Sequence, residues 1–403
     1  MGDVSRDVFI VDGIRTAIGK FSGTLSSVRP DDMAAHLIKE IVIRNFDGIP
    51  KDEIEDVILG NANGAGEENR NVGRMAALLA ELPITVGGAT VNRLCASGMQ
   101  AFVDGVRGIR NVEGECYIVG GVESMTRAPF VLAKNAAPFG RNVEMYDTTI
   151  GWRFTNPKLA KMYHPYSMGE TAENVAEKYN ITRERQDEFA YNSQKKAGEA
   201  ISSGKFNNEI VGIEIKQKKD TIIFDKDEFA RPDTTMEALT KLKPAFRENG
   251  TVTAGNSSGI NDGASMMMIA SEDFVKKHNL KPRARYVSSA IAGVDPACMG
   301  IGPVPATKKA LERAGLSISD IDMIELNEAF AAQSLACIDE LGLNPDIINV
   351  NGGAIALGHP LGSSGARIII TLLNELEKQG KSKGLATMCI GVGQGMASII
   401  ERV

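Results

Sequence analysis

The sequence has 403 residues, which at about 150 residues per domain is enough for two to three domains with a sizeable core. Its 45 Lys and Arg against 51 Asp and Glu give a net charge of −6, which argues against nucleic-acid binding by phosphate neutralisation. With 43% hydrophobic and 24% charged residues and no apolar run near the roughly 18 residues of a membrane span, the sequence predicts a soluble protein without a membrane partner.

The cysteine count and the N-terminus indicate the compartment. Five cysteines are few and odd in number for this length, which favours a reducing environment over a disulfide framework. Residues 1–10 include Asp3, Arg6 and Asp7 and lack an apolar core, so no signal peptide is predicted. We therefore expect a cytoplasmic protein.

An internal repeat predicts two α/β units of the same order. Residues 48–59 align with 315–326, and both segments predict a helix end, an acidic turn and a buried strand. The same offset carries Ser97-Gly98 onto Ser364-Gly365, which precede matching helices and strands. Chance similarity of two βα segments is the alternative. The helices are predicted at 99–109 and 366–376, and the strands that follow them at 117–121 and 385–391.

Residues 123–249 form an aromatic-rich insert between the two units. This third of the chain holds the single Trp and most of the Tyr and Phe residues, which is typical of a subdomain that packs over a ligand. A purely structural insertion is the alternative. The pattern predicts helices at 170–179 and 183–202 and strands near 210–215 and 221–224. Alternating strands and helices elsewhere predict mostly parallel sheets, with ligands bound where strands end and helices begin.

Cys95 is the predicted nucleophile. It stands where a strand gives way to a helix, and Ala96, Ser97 and Gly98 leave room around its sulfur. A helix N-terminus favours thiolate over thiol and supplies free backbone N–H donors. A buried packing cysteine is the alternative interpretation.

His359 is the predicted base. It lies in the glycine-rich segment 351–365, at the place that the repeat makes equivalent to Cys95, and Pro360 forces its backbone into an extended conformation. Duplicated elements would bring the two side chains together across a pseudo-twofold axis, where an imidazole can take the thiol proton. The segment lacks the GxGxxG pattern and the lysine of phosphate-binding loops.

Cys389 and Gly391 follow at the end of the last strand of the second unit, where exposed N–H groups can hold an oxyanion. Two cysteines and one histidine could also bind zinc, but no CxxC or HxxxH spacing occurs, so no metal is predicted. Asn327 and Glu328 end another strand of this unit. They could cap a helix, position a water or orient His359.

Taken together, these segments resemble the four catalytic blocks of the thiolases, CoA-dependent acyltransferases that make or break the C–C bond of 3-oxoacyl-CoA. The resemblance covers essentially the whole chain and implies an α/β, duplicated thiolase-like fold. Its two mixed sheets and their helices would form αβαβα layers, with an inserted loop domain. The implied domains are residues 1–122 with 250–272, the lid or CoA-binding loop domain 123–249, and 273–403. The blocks are Arg93 to Gly98, Asn327 to Phe330, Gly358 to Pro360 and Cys389 to Gly391, and further matching segments are 121–126, 241–246 and 251–259.

The resemblance implies a ping-pong mechanism. His359 would take the proton of Cys95, whose thiolate attacks the 3-keto carbon. Acetyl-CoA would leave as an enolate protonated by Cys389, and CoA activated by His359 would then release the acyl group from Cys95. One oxyanion hole would comprise His359 and a water held by Asn327, and the other the N–H groups of Cys95 and Gly391.

The resemblance also implies a CoA site without any permanently bound cofactor, with CoA and acyl-CoA as the substrates. Arg231 would lie near the nucleotide and Ser258 on the pantetheine. A plain surface charge is the alternative for Arg231. The channel residues would be Met168, Ala254, Phe246, Met299 and Phe330.

The predicted function is a degradative acetyl-CoA C-acyltransferase of fatty acid β-oxidation. Acetoacetyl-CoA-forming thiolases commonly have His where this chain has Ser167, although that activity stays an alternative. Residues 148–154 and Asn156-Pro157 look like the insert of 3-oxoadipyl-CoA thiolases, a second alternative, although Gly169 departs from the Pro common in that branch. A decarboxylating condensing enzyme and a non-catalytic acyl-CoA-binding relative are more distant alternatives. We also expect a homodimer or homotetramer, and a β-oxidation hydratase or dehydrogenase is a further candidate partner.

Overall fold

A computed structural model describes residues 6–403 of the chain. The strands are β1 (Val8–Arg15), β2 (Gly19–Lys20), β3 (Asp56–Gly60), β4 (Ala89–Val91), β5 (Cys116–Ser124), β6 (Phe130–Leu132), β7 (Met145–Asp147), β8 (Ile213–Lys216), β9 (Thr221–Phe224), β10 (Asn261–Ser271), β11 (Ala284–Gly293), β12 (Met323–Leu326), β13 (Lys383–Ile390) and β14 (Gln394–Arg402). The helices are α1 (Pro30–Asn45), α2 (Val72–Leu79), α3 (Ser97–Arg110), α4 (Pro157–Met162), α5 (Met168–Lys178), α6 (Arg183–Ser202), α7 (Met236–Thr240), α8 (Glu272–Lys277), α9 (Pro303–Ala314), α10 (Ala331–Leu341), α11 (Ala354–Leu357) and α12 (Leu361–Gln379).

Two mixed half-sheets carry the duplicated core. The first has the order β1-β10-β5-β3-β4 and the second the order β11-β14-β13-β12. In the first, β3 runs parallel to β4 and β5, and in the second β12 runs parallel to β13, while the other neighbours are antiparallel. The predicted α/β class with mixed sheets is confirmed, whereas the expectation of mostly parallel sheets is wrong, because the long central strands β1, β10, β5, β11, β14 and β13 pair with their neighbours mainly in antiparallel fashion.

The prediction of two sheets needs one amendment, because the half-sheets are continuous. β1 pairs with β11 through only two residues, Phe9 with Arg285 and Ile10 with Ala284, whereas it pairs with β10 along its whole length. Strand twist makes the halves diverge beyond this short junction, so hydrogen bonding joins them only at their shared edge.

Helices occupy three layers around the half-sheets. α1 packs against β5 and β10 on the outer face of the first half-sheet, and its buried Met33, Leu37 and Ile41 lie one helical turn apart. α9 covers β11 and β14 on the outer face of the second half-sheet. α3 and α12 pack against each other between the halves, and residues 362–376 of α12 are buried on every side. The result is the αβαβα layering that the resemblance implied.

The predicted repeat is present in the structure. β3 and β12 end the aligned segments, α3 and α12 follow the two Ser-Gly pairs, and β5 and β13 follow these helices. Gly48 and Gly315, which align in sequence, both have a left-handed backbone, with φ of 73° and 66°. Gly315 caps α9 directly, whereas α1 ends at Asn45 and Gly48 lies in the turn after its cap, so the aligned glycines share a backbone conformation at slightly different distances from the helix end.

The insert contains the predicted helices and strands. α5 and α6 cover the first two predicted segments, and β8 and β9 form an antiparallel hairpin at the third and fourth. β5 extends to Ser124, two residues past the predicted domain boundary, and the domain division stays a prediction.

No helix within residues 6–403 is long and apolar enough to cross a membrane.

A buried ion network ties the insert to β1. The fully buried Arg15 donates to Glu209 at 2.6 Å and binds Asp227 through two hydrogen bonds of 2.7 and 2.9 Å. Both carboxylates belong to the insert, whereas Arg15 ends the central strand of the core. A paired guanidinium is stabilising here only because its two acidic partners are buried with it.

We expect Arg15→Leu to lower the free energy of unfolding by about 3–5 kcal/mol, because it leaves two carboxylates buried without their cation. The matched control is Arg185→Gln, which breaks a half-exposed pair with Asp339 and should change stability by about 1 kcal/mol or less. Urea unfolding followed by circular dichroism measures both. Equal losses in the two variants would contradict the assignment.

Candidate active site

Cys95 lies on a tight turn between β4 and α3. Leu94, the residue before it, has φ of 48°, a region that a non-glycine residue rarely adopts. Ser97 holds this turn, since its Oγ donates to the carbonyl of Leu94 at 2.6 Å and accepts from the N–H of Arg93 at 2.9 Å. The turn therefore fixes the half-buried sulfur at the start of α3.

The surroundings of Cys95 keep it a neutral thiol in the free protein. Burial raises the pKa of the Cys95 thiol, while a hydrogen bond from the backbone N–H of Gly391 acts in the opposite direction. A Cβ atom at Gly391 would lie 3.2 Å from Leu94, so a side chain there would crowd the turn. A thiol in this state needs a base before it can attack a carbonyl carbon.

His359 is held as a neutral imidazole with a defined tautomer. Its Nδ1 lies 2.7 Å from Ser364 Oγ, and that hydroxyl gives its only proton to the carbonyl of Pro360 at 2.9 Å. Nδ1 must therefore carry the ring proton, which leaves the lone pair on Nε2. Burial, with the nearby Arg367 guanidinium, lowers the pKa of His359 to about 3.

Asn327 and Glu328 follow β12 and take different roles. Asn327 Nδ2 lies 3.5 Å from His359 Nε2, and its Oδ1 is buried without a hydrogen-bond partner in residues 6–403. Glu328 instead accepts from Ser193 Oγ at 2.7 Å and from Asn349 Nδ2 at 2.8 Å. Asn327 thus faces the histidine, whereas Glu328 joins α6 of the insert to the core.

Cys389 ends β13 in an apolar environment. It is buried in one cluster with Met168, Met299 and Phe330. Burial raises its pKa well above the ordinary value, and the neighbouring Cys95 adds to the effect. Cys389 is therefore a thiol that can donate a proton.

Within the described chain no group of three or more His, Cys, Asp or Glu side chains is arranged to hold a metal ion.

A cavity of about 330 Å³ opens at Cys95. The core contributes Gly391 and Glu123 to its lining, and the insert contributes Met168 and the irregular segment 148–153. The insert therefore packs over the nucleophile, as the aromatic-rich composition predicted. The remaining lining residues are Ala62, Asn63, Asn92, Leu94, Met125, Tyr166, Ser167, Leu361 and Val392.

Glu123, which sequence reasoning noted only as part of a motif, joins three parts of the site. Its carboxylate accepts from the backbone N–H groups of Ala62, Asn63 and Gly362 at 2.8, 3.1 and 2.8 Å. Burial raises the pKa of Glu123 to about 7. The carboxylate thus connects the end of β5 to the cavity wall and to the first turn of α12, next to His359.

The predicted CoA-binding residues divide into two groups. Met168, Met299 and Phe330 contact the Cys389 cluster, and Phe246 packs edge-on against Phe330 with ring centroids 6.1 Å apart. Met299 and Phe330 are buried, whereas Phe246 is exposed at the protein surface.

The second group lies outside the Cys95 cavity. The backbone N–H of Ser258 donates to the carbonyl of Ala329, while Ala254 and Arg231 are exposed. The Arg231 guanidinium stacks over Phe229 at 5.3 Å. Their CoA-binding roles stay predictions.

Comparison with known proteins identifies the family. Models of the thiolase N-terminal domain and the thiolase C-terminal domain match residues 8–273 and 280–402. The chain is 56% identical over 400 residues to a beta-ketoadipyl-CoA thiolase of Pseudomonas putida, which covers 99% of this chain and 100% of that protein. It is also 56% identical, with the same coverage, to a 3-oxoadipyl-CoA/3-oxo-5,6-dehydrosuberyl-CoA thiolase of Escherichia coli (strain K12).

Solved structures agree with these matches. The acetyl-CoA acetyltransferase of Bacillus anthracis superposes with a TM-score of 0.93 and 43% identity over the whole of both chains. Human mitochondrial 3-ketoacyl-CoA thiolase superposes with a TM-score of 0.92 and 40% identity over 99% of this chain and 100% of that chain. The resemblance inferred from the sequence blocks is confirmed, and this chain belongs to the thiolase family of acyltransferases.

Proposed function

We propose that this thiolase cleaves 3-oxoadipyl-CoA with CoA, giving acetyl-CoA and succinyl-CoA. The observation that carries the proposal is the 56% identity, along the full chain, to proteins named for this substrate. The insert segment 148–153, whose sequence resembles that branch, lies against the Cys95 cavity, where it can contact an acyl chain. The general 3-oxoacyl-CoA thiolase of fatty acid β-oxidation, our main prediction from sequence, is supported less well than this alternative.

In the first half-reaction, His359 Nε2 removes the proton of Cys95 and the sulfur attacks the 3-keto carbon. The C2–C3 bond breaks, the acyl group stays on Cys95 as a thioester, and Cys389 protonates the acetyl-CoA enolate. The proton held by His359 then passes to the Cys389 thiolate, so both groups are neutral again before CoA enters. The backbone N–H groups of Cys95 and Gly391, both of which favour the Cys95 thiolate in the free protein, would hold the oxyanion on the attacked carbon. Each such donor contributes about 10²-fold to 10³-fold in rate.

In the second half-reaction, His359 takes the proton of incoming CoA, whose thiolate removes the acyl group from Cys95. The unpartnered Asn327 Oδ1 supports its role beside His359, since it can accept a hydrogen bond from a water that faces a thioester oxygen. CoA and acyl-CoA act only as substrates in this scheme.

The five free cysteines support a reducing, cytoplasmic setting.

A thiolysis series tests the substrate and the nucleophile. We expect kcat/KM to be higher for 3-oxoadipyl-CoA than for acetoacetyl-CoA or longer unbranched 3-oxoacyl-CoA. Cys95→Ser should lower turnover by about 10³-fold or more and abolish the acyl-enzyme seen by intact mass spectrometry. The control Cys116→Ala, in the outer core, should still acylate. Full turnover by Cys95→Ser would contradict the mechanism.

Ser364→Ala tests the tautomer of His359. The variant leaves the buried Nδ1–H without its acceptor, a loss of about 1–3 kcal/mol, and should lower kcat about tenfold to a hundredfold. The control is Ser363→Ala, whose hydroxyl contacts Ser265 instead, and its kcat should stay near that of the parent. Nitrogen NMR of the histidine ring reports the tautomer directly. Equal kcat in the two variants would contradict the role of Ser364.

We also propose that the chain forms a homo-oligomer. The hairpin of β6 and β7 and its connecting loop expose several large apolar side chains, more than a monomer surface usually groups together. Light scattering should give a dimer or tetramer, and the double variant Phe130→Asp, Leu132→Asp should have a lower mass or a weaker association. A monomeric parent protein would contradict the proposal. The exposed residues are Phe130, Leu132, Phe139, Val143 and Met145.

A further inference from the structure

Arg153 is a half-buried cation in the wall of the Cys95 cavity. It is the one Lys or Arg among the lining residues. Its side chain makes a single long hydrogen bond, from Nη2 to the carbonyl of Asn63 at 3.4 Å, and no carboxylate within residues 6–403 lies within 4.0 Å of it. Arg127 shows the contrast, since it binds Glu67 through two hydrogen bonds of 2.6 and 2.7 Å.

The acid in the same cavity does not neutralise Arg153. Glu123 directs its oxygens to three backbone N–H groups and forms no ion pair with the guanidinium in the described structure. A guanidinium carries five N–H donors and pays a desolvation penalty when it is removed from water without an anion. The cavity therefore offers a preformed place for one carboxylate that the protein itself does not supply.

The wall that carries Arg153 is fixed although it has no regular secondary structure. Asn63 Nδ2 donates to the Oγ1 and the carbonyl of Thr148 at 3.0 and 3.2 Å, and Trp152 Nε1 donates to the carbonyl of Tyr166 at 3.0 Å. Asn63 is bound in turn to Glu123 through its backbone N–H. The segment that carries Arg153 is thus anchored at two points, to the core at Thr148 and to the insert at Trp152. Its position is therefore defined before a ligand binds.

We propose that Arg153 binds the distal carboxylate of the acyl group that Cys95 accepts and so makes the site selective for 3-oxo acids that end in a carboxylate. This inference rests on the proposed function, because it assigns the residue that recognises the substrate named there. The distal carboxyl carbon of a 3-oxoadipyl group lies three C–C bonds, about 4 Å, from the carbon that Cys95 attacks. Cys95 and Arg153 line the same cavity of about 330 Å³, which has room for a chain of this length.

The contact should act on selectivity more than on chemistry. Arg153 would touch the far end of the acyl chain, whereas the bonds that break and form lie at the other end. A site that hydrogen-bonds one group of a substrate rejects analogues without it, because its own polar atoms are left unpaired. Removing the guanidinium should therefore harm the charged substrate and spare an uncharged substrate of equal length.

The test compares kcat/KM for 3-oxoadipyl-CoA with that for 3-oxohexanoyl-CoA, which has a methyl group in place of the carboxylate. Arg153→Gln should lower kcat/KM for 3-oxoadipyl-CoA about tenfold to a hundredfold and leave 3-oxohexanoyl-CoA little changed. Arg153→Lys should keep part of the preference, since it retains the charge without the bidentate geometry. The control Lys161→Gln removes an exposed cation of the same insert and should leave the ratio unchanged.

The outcomes separate this inference from the proposed function. A parent enzyme without preference for 3-oxoadipyl-CoA would overturn both. A parent that prefers 3-oxoadipyl-CoA while Arg153→Gln keeps the same ratio would overturn only the role of Arg153. An equal loss on both substrates would show that Arg153 merely supports the cavity wall, and it would overturn the inference as well. Retained cleavage of 3-oxohexanoyl-CoA by Arg153→Gln shows at the same time that the variant is folded.

Discussion

Helices α3 and α12 meet at glycines that leave no room for a side chain. A Cβ atom at Gly98 would lie 2.7 Å from the carbonyl oxygen of Gly362, and one at Gly365 would lie 2.5 Å from the backbone nitrogen of Met99. Backbone contact at this distance brings the N-terminal ends of the two helices together in the central layer. Cys95 precedes one of these ends and His359 the other, so the position of both reactive groups depends on this contact.

The same contact sets the protonation states of the site. Because the helix ends are buried between the half-sheets, burial lowers the pKa of His359 to about 3 and raises the pKa of the Cys95 and Cys389 thiols. The free protein therefore holds two thiols and an imidazole, all neutral, rather than a thiolate–imidazolium pair. In the proposed mechanism, charge develops only when a carbonyl carbon is present to take the sulfur, and the backbone N–H groups of Cys95 and Gly391 would then hold the oxyanion.

The parts of the structure that repeat were predictable from sequence, whereas the irregular parts were not. Cys95 could be found because it lies between a strand and a helix, and His359 because it precedes the helix that the repeat pairs with the one after Cys95. The two-residue junction of β1 with β11 depends on strand register, which sequence alone does not specify. The position of Arg153 depends on a hydrogen bond that it donates to the carbonyl of Asn63, which lies 90 residues away along the chain.

In the proposed mechanism, chemistry and selectivity occupy different parts of this protein for a physical reason. Cys95, His359 and Cys389 would act on the C2–C3 bond and its oxygens, which every 3-oxoacyl-CoA shares, so these residues would not distinguish one acyl chain from another. Discrimination would fall to the wall that faces the later carbons, and the insert supplies one wall of the Cys95 cavity. The wall is attached to the core through Asn63, which is bound in turn by Glu123, and this attachment is separate from the contact between α3 and α12. A substitution at position 153 therefore leaves the helix crossing intact, whereas a side chain in place of Gly98 or Gly365 would not fit there.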